Sequence, residues 1–219
     1  MVAIIVISPF IPGQNIIKTS QPELASQNPP NPTQKATLDI LTSNSSPVLG
    51  SKDAPITVIE FGDYQCFYCH KFFNNTEDAI VKNYIDTGKV KMIFKDFTII
   101  GQDSITAANA AHCAQEQGKF WEYHDALYNN WSGENTGWAS ITNLARIGKQ
   151  IGLNQDQFNQ CMTQAKYMQV VQGSASDANT LGLTGTPDFF IIAPDNSITK
   201  VVGAEPYEAF DQIFKSKLQ

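Results

Sequence analysis

Lysine and arginine are scarce in this chain and never gather into a patch. Charged residues fill 16% of 219 positions, and 15 basic against 21 acidic residues leave a formal charge of −6. Without a basic cluster there is no electrostatic footprint for nucleic acid or an anionic membrane, which leaves neutral ligands or other proteins as partners. The apolar run Val2 to Ile7 falls far short of the about 20 residues a membrane-spanning helix needs. No internal repeat is visible. Cysteine is sparse as well, four residues against 42% apolar and 11% aromatic positions. A core of normal size is therefore available, and disulfides are not needed to replace one. The length fits one domain with an insertion, or two very small domains.

No Lys or Arg precedes Val2 to Ile7, so the run lacks the basic start of a full secretory signal. We read residues 1–17 as the remnant of a signal or membrane anchor, with a frayed apolar terminus as the plain alternative. Residues 18–51 hold Pro22, Pro29, Pro30, Pro32 and Pro47 among Ser, Thr, Asn and Gln, with no periodic apolar face. Such a segment reads as a flexible tether. Leader and tether together suit an extracytoplasmic domain held near a membrane; sequons at Asn44, Asn74 and Asn130 agree with export but are frequent by chance. In an oxidising compartment the pair Cys66 and Cys69 and the singles Cys113 and Cys161 permit one reactive and one structural disulfide. In a reducing one, the singles would be ordinary buried small residues.

A folded pattern is expected from Ser51-Lys52-Asp53-Ala54-Pro55 onward. The β-branched run Ile56 to Phe61, bounded by Pro55 and Gly62, predicts a buried strand. Cys69, Phe72, Phe73, Ile80, Val81 and Tyr84 fall at helical spacing and predict a helix ending at Thr87-Gly88. Val90, Met92 and Phe94 alternate with Lys91 and Lys95 as a second strand, and strand–helix–strand implies a right-handed parallel unit. Asp103 is placed to cap an alanine-rich helix that stops at Gly118. Helical faces follow over Phe120 to Tyr128, around Ile141 to Ala145, and from Asn154 through Phe158, Cys161, Met162, Ala165 and Met168 as one long helix. Phe189 to Ala193 and Ile198 to Val202 then predict a hairpin, and Tyr207 to Phe214 a closing helix. The order predicts one α/β domain interrupted by a helical insertion.

Chemistry concentrates in Cys66-Phe67-Tyr68-Cys69-His70. Two cysteines at this spacing can close a disulfide, hold half of a metal site or, with the next His, attach a c-type haem. The haem reading, an electron carrier using Cys66, Cys69 and His70, leaves the preceding strand and Thr186-Pro187 unexplained. Zinc would also need two of His70, His112 and Cys113, and no second close cysteine pair provides them. A cysteine pair at a helix N-terminus meets unpaired N–H groups and a partial positive charge, both of which stabilise a thiolate. Cys66 is then a nucleophile and a good leaving group, and Cys69, one turn inside the helix, the resolving thiol. His112 and His124 read as packed or solvated, and Trp121, Trp131 and Trp138 as core or rim aromatics.

Glu60 on an otherwise apolar strand, Cys66 and Cys69 opening the next helix, and Thr186-Pro187 before the third strand together resemble the thioredoxin fold. The inserted helices and the phrase Phe61-Gly62-Asp63-Tyr64-Gln65-Cys66 resemble its DsbA-like branch, over about residues 52 to 218. The resemblance implies a thioredoxin domain over 52–102 and 183–219 with a helical domain, 103–182, inserted between the second and third strands. It implies Cys66 as the exposed catalytic cysteine and Cys69 as its partner. Pro187 would be a cis-proline against their disulfide, and the Thr186 backbone would pair with substrate. Glu60 would be a buried acid moving a proton near the resolving cysteine, with a pKa raised by desolvation. Phe67 and Tyr68 stand where strong oxidants carry Pro-His; two aromatics supply no fixed positive charge, so the thiolate is expected to be less stabilised. His70 is the remaining candidate for that charge. Cys113 and Cys161 are expected to form a second, structural disulfide.

The implied function is an exported, monomeric thiol–disulfide oxidoreductase that needs no organic cofactor and no metal, most simply an oxidase of folding proteins with free cysteines. A membrane quinone-linked thiol oxidase would reoxidise it. A reductase or isomerase of the same fold, and a non-catalytic thioredoxin-fold binding module, are the alternatives.

Overall fold

The computed structural model describes residues 32–219; the expected remnant at 1–17 and the first part of the tether lie outside the described residues. One sheet has the strand order β2-β1-β3-β4. β1 (Ile56–Gly62) pairs parallel with β2 (Val90–Asp96) and antiparallel with β3 (Asp188–Ile192), which pairs antiparallel with β4 (Ile198–Val202). Because β1 has a neighbour on each side and a covered face above and below, every residue in it except Thr57 is buried. That burial explains why it reads as a near-continuous apolar run instead of an alternation.

The two faces separate by period two. Ile56 and Val58, with Met92, Phe189 and Ile191, pack under the helix that follows β1 and under α9 (Tyr207–Lys217). Ile59 and Phe61, with Ile93 and Phe190, pack with Leu41 and Ala178 on the opposite face. Glu60 continues the Ile56–Val58 phase, and its register neighbours are Phe94 on β2 and Phe189 on β3. A carboxylic acid is thus set into an aromatic face beneath the helix that carries the cysteines.

That helix runs as α2 (Phe67–Phe72), a π-helical stretch Phe73–Glu77, α3 (Asp78–Ile80) and a second π-helical stretch Val81–Ile85. The sequence pattern predicts its extent; the two π-helical stretches are additions of the structure. Gly88, at φ 71°, makes the left-handed turn expected after it.

The insertion contains α4 (Gln102–Gln115), α5 (Phe120–Asn129), α6 (Ile141–Gln150), α7 (Gln155–Thr163) and α8 (Met168–Thr180). Asn154 caps α7 by accepting from the Gln157 N–H at 3.1 Å, as expected. Two expectations change. Gly101 caps α4 and Asp103 lies inside its first turn. The single long helix after Asn154 is two helices, because Ala165 adopts φ 49°, a left-handed conformation that no α-helix can carry through. The Cys113–Cys161 disulfide joins α4 to α7.

Residues 32–51 correct the tether reading. α1 (Pro32–Thr42) begins with a proline, whose missing N–H would have had no partner at that position anyway. Leu41 is fully buried, and Lys95 reaches from β2 to the carbonyls of Ile40 and Ser43 and to Asp177 on α8. Leu49 exchanges two backbone hydrogen bonds with Met92, at 2.8 and 3.0 Å, along the outer edge of β2. Polar composition hid this segment because its order comes from long-range contacts, which local pattern does not encode. Among the described residues no helix is long and apolar enough to cross a membrane.

Cys113 and Cys161 lie 48 positions apart, and the chain-entropy model assigns about 4 kcal/mol to closing such a loop. The double variant Cys113→Ala/Cys161→Ala should lower the unfolding free energy in urea by that order. A loss below about 1 kcal/mol would show that the bridge does not constrain the unfolded chain.

Candidate active site

The turn from β1 into α2 is organised by one buried carboxylate. Asp63 accepts hydrogen bonds from the Gln65, Ile99 and Ile100 N–H groups at 2.9, 2.9 and 3.1 Å, and its carbonyl accepts from the Cys66 N–H at 2.9 Å. Burial raises the Asp63 pKa, and these donors, with Ser104, oppose the rise. Gly62 is required by close approach: a Cβ there would stand 2.4 Å from the Phe94 ring and 3.2 Å from Glu60 Oε1.

The loop between α5 and α6 closes over the same turn. Trp131 Nε1–H donates to the Gln65 carbonyl and the Asn135 N–H to Gln65 Oε1, both at 2.7 Å, while Gln65 Nε2 donates to Ser104 Oγ at 3.0 Å. Glu134 Oε1 accepts from the Phe67 N–H at 3.0 Å, one of the free donors at the helix start. Gln65, Trp131, Glu134 and Asn135 were not legible as site residues. The signals were Gln65 in the phrase before Cys66, Trp131 as a core or rim aromatic, and a Gly- and Asn-containing break at 131–137, which marks a loop but not what it covers.

Cys66 occupies the N-cap of α2, 6% exposed, and Cys69 is fully buried one turn on; both are free thiols. Hydrogen bonding from the Cys69 thiol is the main cause that brings the Cys66 pKa from 9.0 down to about 6. Thr186 and the Tyr68 and Cys69 amides add to it against the opposing effect of burial. Burial pushes the Cys69 pKa well up, and the Cys66 and Glu60 charges push it further. Two neighbouring thiols are therefore separated in acidity by position alone.

Glu60 is 1% exposed, and among the described residues neither of its carboxyl oxygens has a hydrogen-bond partner. Desolvation, then the charges of Glu77 and Cys66, raise its pKa well above the usual carboxylate value. In the fold the neutral form of this acid is favoured, within electrostatic reach of Cys66. The Thr186–Pro187 peptide bond is cis, and the Thr186 carbonyl accepts from the Cys66 thiol at 3.4 Å. Phe67 and Tyr68 are 49% and 57% exposed and form an aromatic rim beside Cys66.

His70 packs against the insertion. Its ring stacks on Trp131 at 4.5 Å, its Nε2 accepts from Asn74 Nδ2 at 2.8 Å, and burial lowers its pKa, so it supplies no fixed positive charge. The zinc quartet does not assemble either, since Cys113 is disulfide-bonded and His112 pairs with Asp96 at 2.8 Å.

Comparison with known proteins agrees with this geometry. A family model described as thioredoxin matches residues 42–212. "Probable disulfide bond formation protein D" of Bacillus anthracis is 30% identical over 147 residues, covering 65% of this chain and 68% of that protein. The crystal structure of Wolbachia pipientis alpha-DsbA1 superposes with a TM-score of 0.70 at 32% identity, covering 78% of this chain and 89% of that one. Oxidised BdbD from Bacillus subtilis shares the fold, with a TM-score of 0.71 at 24% identity over 78% of this chain and 92% of that one.

Two outcomes follow from the electrostatics. Glu60 holds its proton in the fold at pH values where the unfolded chain, with an ordinary value of 4.5, has released it. Its contribution to stability is complete below that value and is lost as pH rises through the raised folded pKa. Unfolding of the oxidised protein, followed against pH, should show this loss in the parent and not in Glu60→Gln; equal slopes would contradict a buried neutral Glu60. Glu134→Gln keeps an oxygen for the Phe67 N–H but removes a negative charge from the helix start. Thiolate absorbance against pH should then place Cys66 below its present value of about 6, whereas no shift would reduce Glu134 to a neutral cap.

Proposed function

Because the chain belongs to the thioredoxin family and is a thiol–disulfide oxidoreductase, we propose that it is an exported, DsbA-like oxidase that introduces disulfides into folding proteins through Cys66 and Cys69. The observation that carries this reading is the placement of the two thiols: Cys66 at the N-cap of α2 facing the cis Thr186–Pro187 bond, where its pKa is lowered to about 6, and Cys69 fully buried one turn inside, where burial raises its own. Stabilising the reduced pair makes its disulfide easier to reduce, and so a better oxidant. The α/β body with its inserted helices holds that split, with 52–102 and 183–219 as the redox domain and 103–182 as its cover. A segment before α1 would serve as anchor and tether.

In the forward reaction a substrate thiolate attacks Cys66 Sγ in the Cys66–Cys69 disulfide. A substrate–Cys66 mixed disulfide forms and Cys69 leaves with the electron pair of the broken S–S bond. Glu60, neutral and buried beside Cys69, is the group able to give that sulfur a proton. A second substrate thiol then attacks the mixed disulfide, and Cys66 departs as a thiolate. The substrate has lost two electrons and the enzyme pair holds them. Reoxidation requires a membrane thiol oxidase that passes electrons to quinone. Phe67, Tyr68 and the Thr186 backbone offer an extended substrate an apolar rim and a polar edge, and the chain acts as a monomer.

Reductase function is the competing direction. The Cys66 value lies between the about 3.5 of a strongly oxidising thiol of this kind and the about 7 of a reducing one. The couple is therefore expected between about −270 and about −120 mV, measured against glutathione; a potential below about −270 mV would identify a reductase. Cys66→Ser should abolish exchange, and Cys69→Ser should accumulate mixed disulfides through Cys66. Trapping through position 69 in the opposite variant would reverse the assigned roles.

A further inference from the structure

Away from the sulfurs, a second group of chemically capable side chains lies where the cysteine-bearing helix meets the insertion. Glu77, at the end of the first π-helical stretch, is buried against His124 and beside the exposed Asp125 of α5. One ligand atom from each lies within 4.8 Å of the others. Glu77 and Asp125 line a cavity of about 420 Å³, with Phe73, Asn74, Asp78 and Trp121 among its other wall residues.

This group carries two unexplained vacancies in its bonding. Among the described residues, Glu77 Oε2 and His124 Nε2 are buried without a hydrogen-bond partner. Glu77 Oε1 stands 3.6 Å from His124 Nε2, beyond the reach of a good hydrogen bond. Two ligands each about 2.1 Å from a tetrahedral ion stand about 3.4 Å apart, close to that separation. His124 Nδ1 is meanwhile held at 3.1 Å by the Tyr64 hydroxyl. With Nδ1 carrying the ring proton and donating it to the Tyr64 oxygen, Nε2 is left free to ligate.

We propose that Glu77, His124 and Asp125 form a binding site for a divalent transition-metal ion, best matched by Zn²⁺. One imidazole and two carboxylates are ordinary zinc ligands, and three protein ligands leave a fourth position for water facing the cavity. A rotation of the exposed Asp125 side chain brings its carboxylate onto the ion. Since Glu77 belongs to the cysteine-bearing helix and His124 and Asp125 to α5, the ion clamps that helix to the insertion. The plain alternative is a loose buried pair of Glu77 and His124 with no affinity for metal.

The test uses the protein with its Cys66–Cys69 disulfide formed, so that no free thiol competes for the probe. Titration with Zn²⁺ by calorimetry should show one equivalent bound, together with a rise in Tm that depends on Zn²⁺ concentration. Asp125→Asn, an exposed change that spares the core, should weaken binding at least about tenfold, a loss of the size seen when a supporting group of a metal site is removed. Glu77→Gln should abolish it. Failure of the parent to bind at millimolar Zn²⁺, or equal binding by the parent and Asp125→Asn, would overturn the site and leave a buried pair.

Discussion

A single negative charge in a nearly dry pocket is the constraint on which the rest of this structure depends. Glu60, Cys66 and Cys69 lie close enough to perturb one another, and burial penalises the charged form of each. Cys66 has the most compensation, from the Cys69 thiol, from Thr186 and from amides at the helix start, against one backbone hydrogen bond at Asp63 for Cys69 and none for Glu60. The charge is favoured on Cys66 and disfavoured on Glu60 and Cys69. Reactivity at one sulfur and inertness at its neighbour are two consequences of the same electrostatics.

The insertion makes that pocket possible. β1 and the following helix by themselves would leave the turn at residues 62–66 open to water, and a hydrated helix start would stabilise the thiolate less selectively. Asp63 draws the loop after β2 onto the turn, and Gln65 is gripped by Trp131, Asn135 and Ser104 from the inserted helices and their loop. His70, the residue that could have offered a mobile positive charge, is held against Trp131 instead. Acidity at Cys66 is therefore set by fixed dipoles and thiol donation, and this is how an aromatic pair between the cysteines coexists with a depressed pKa.

Much of the site could be read in the chain because its signals are local. A helix start after a short strand, a cysteine pair at its head and one acid two residues before a glycine need no tertiary knowledge to find. The fold class followed from the order of periodic segments. Expectations failed where order comes from afar: α1 has a polar, proline-flanked sequence, yet Lys95 and Leu41 secure it to the sheet and α8. The long helix after Asn154 failed for a backbone reason, the left-handed Ala165, which no side-chain pattern announces.

The sequence by itself determined the reactive pair, the parallel strand–helix–strand frame and the acid beneath it, since each rests on spacing along one element and on period-two or period-3.6 burial. Only the tertiary structure decided how acidic each sulfur is, that Glu134 rests on the helix start, that His70 is neutral, and that Glu77 meets His124 and Asp125. Those outcomes depend on which groups from distant elements replace water around a buried charge, and desolvation and hydrogen bonding at a point are properties of the folded neighbourhood, not of the residues taken in order.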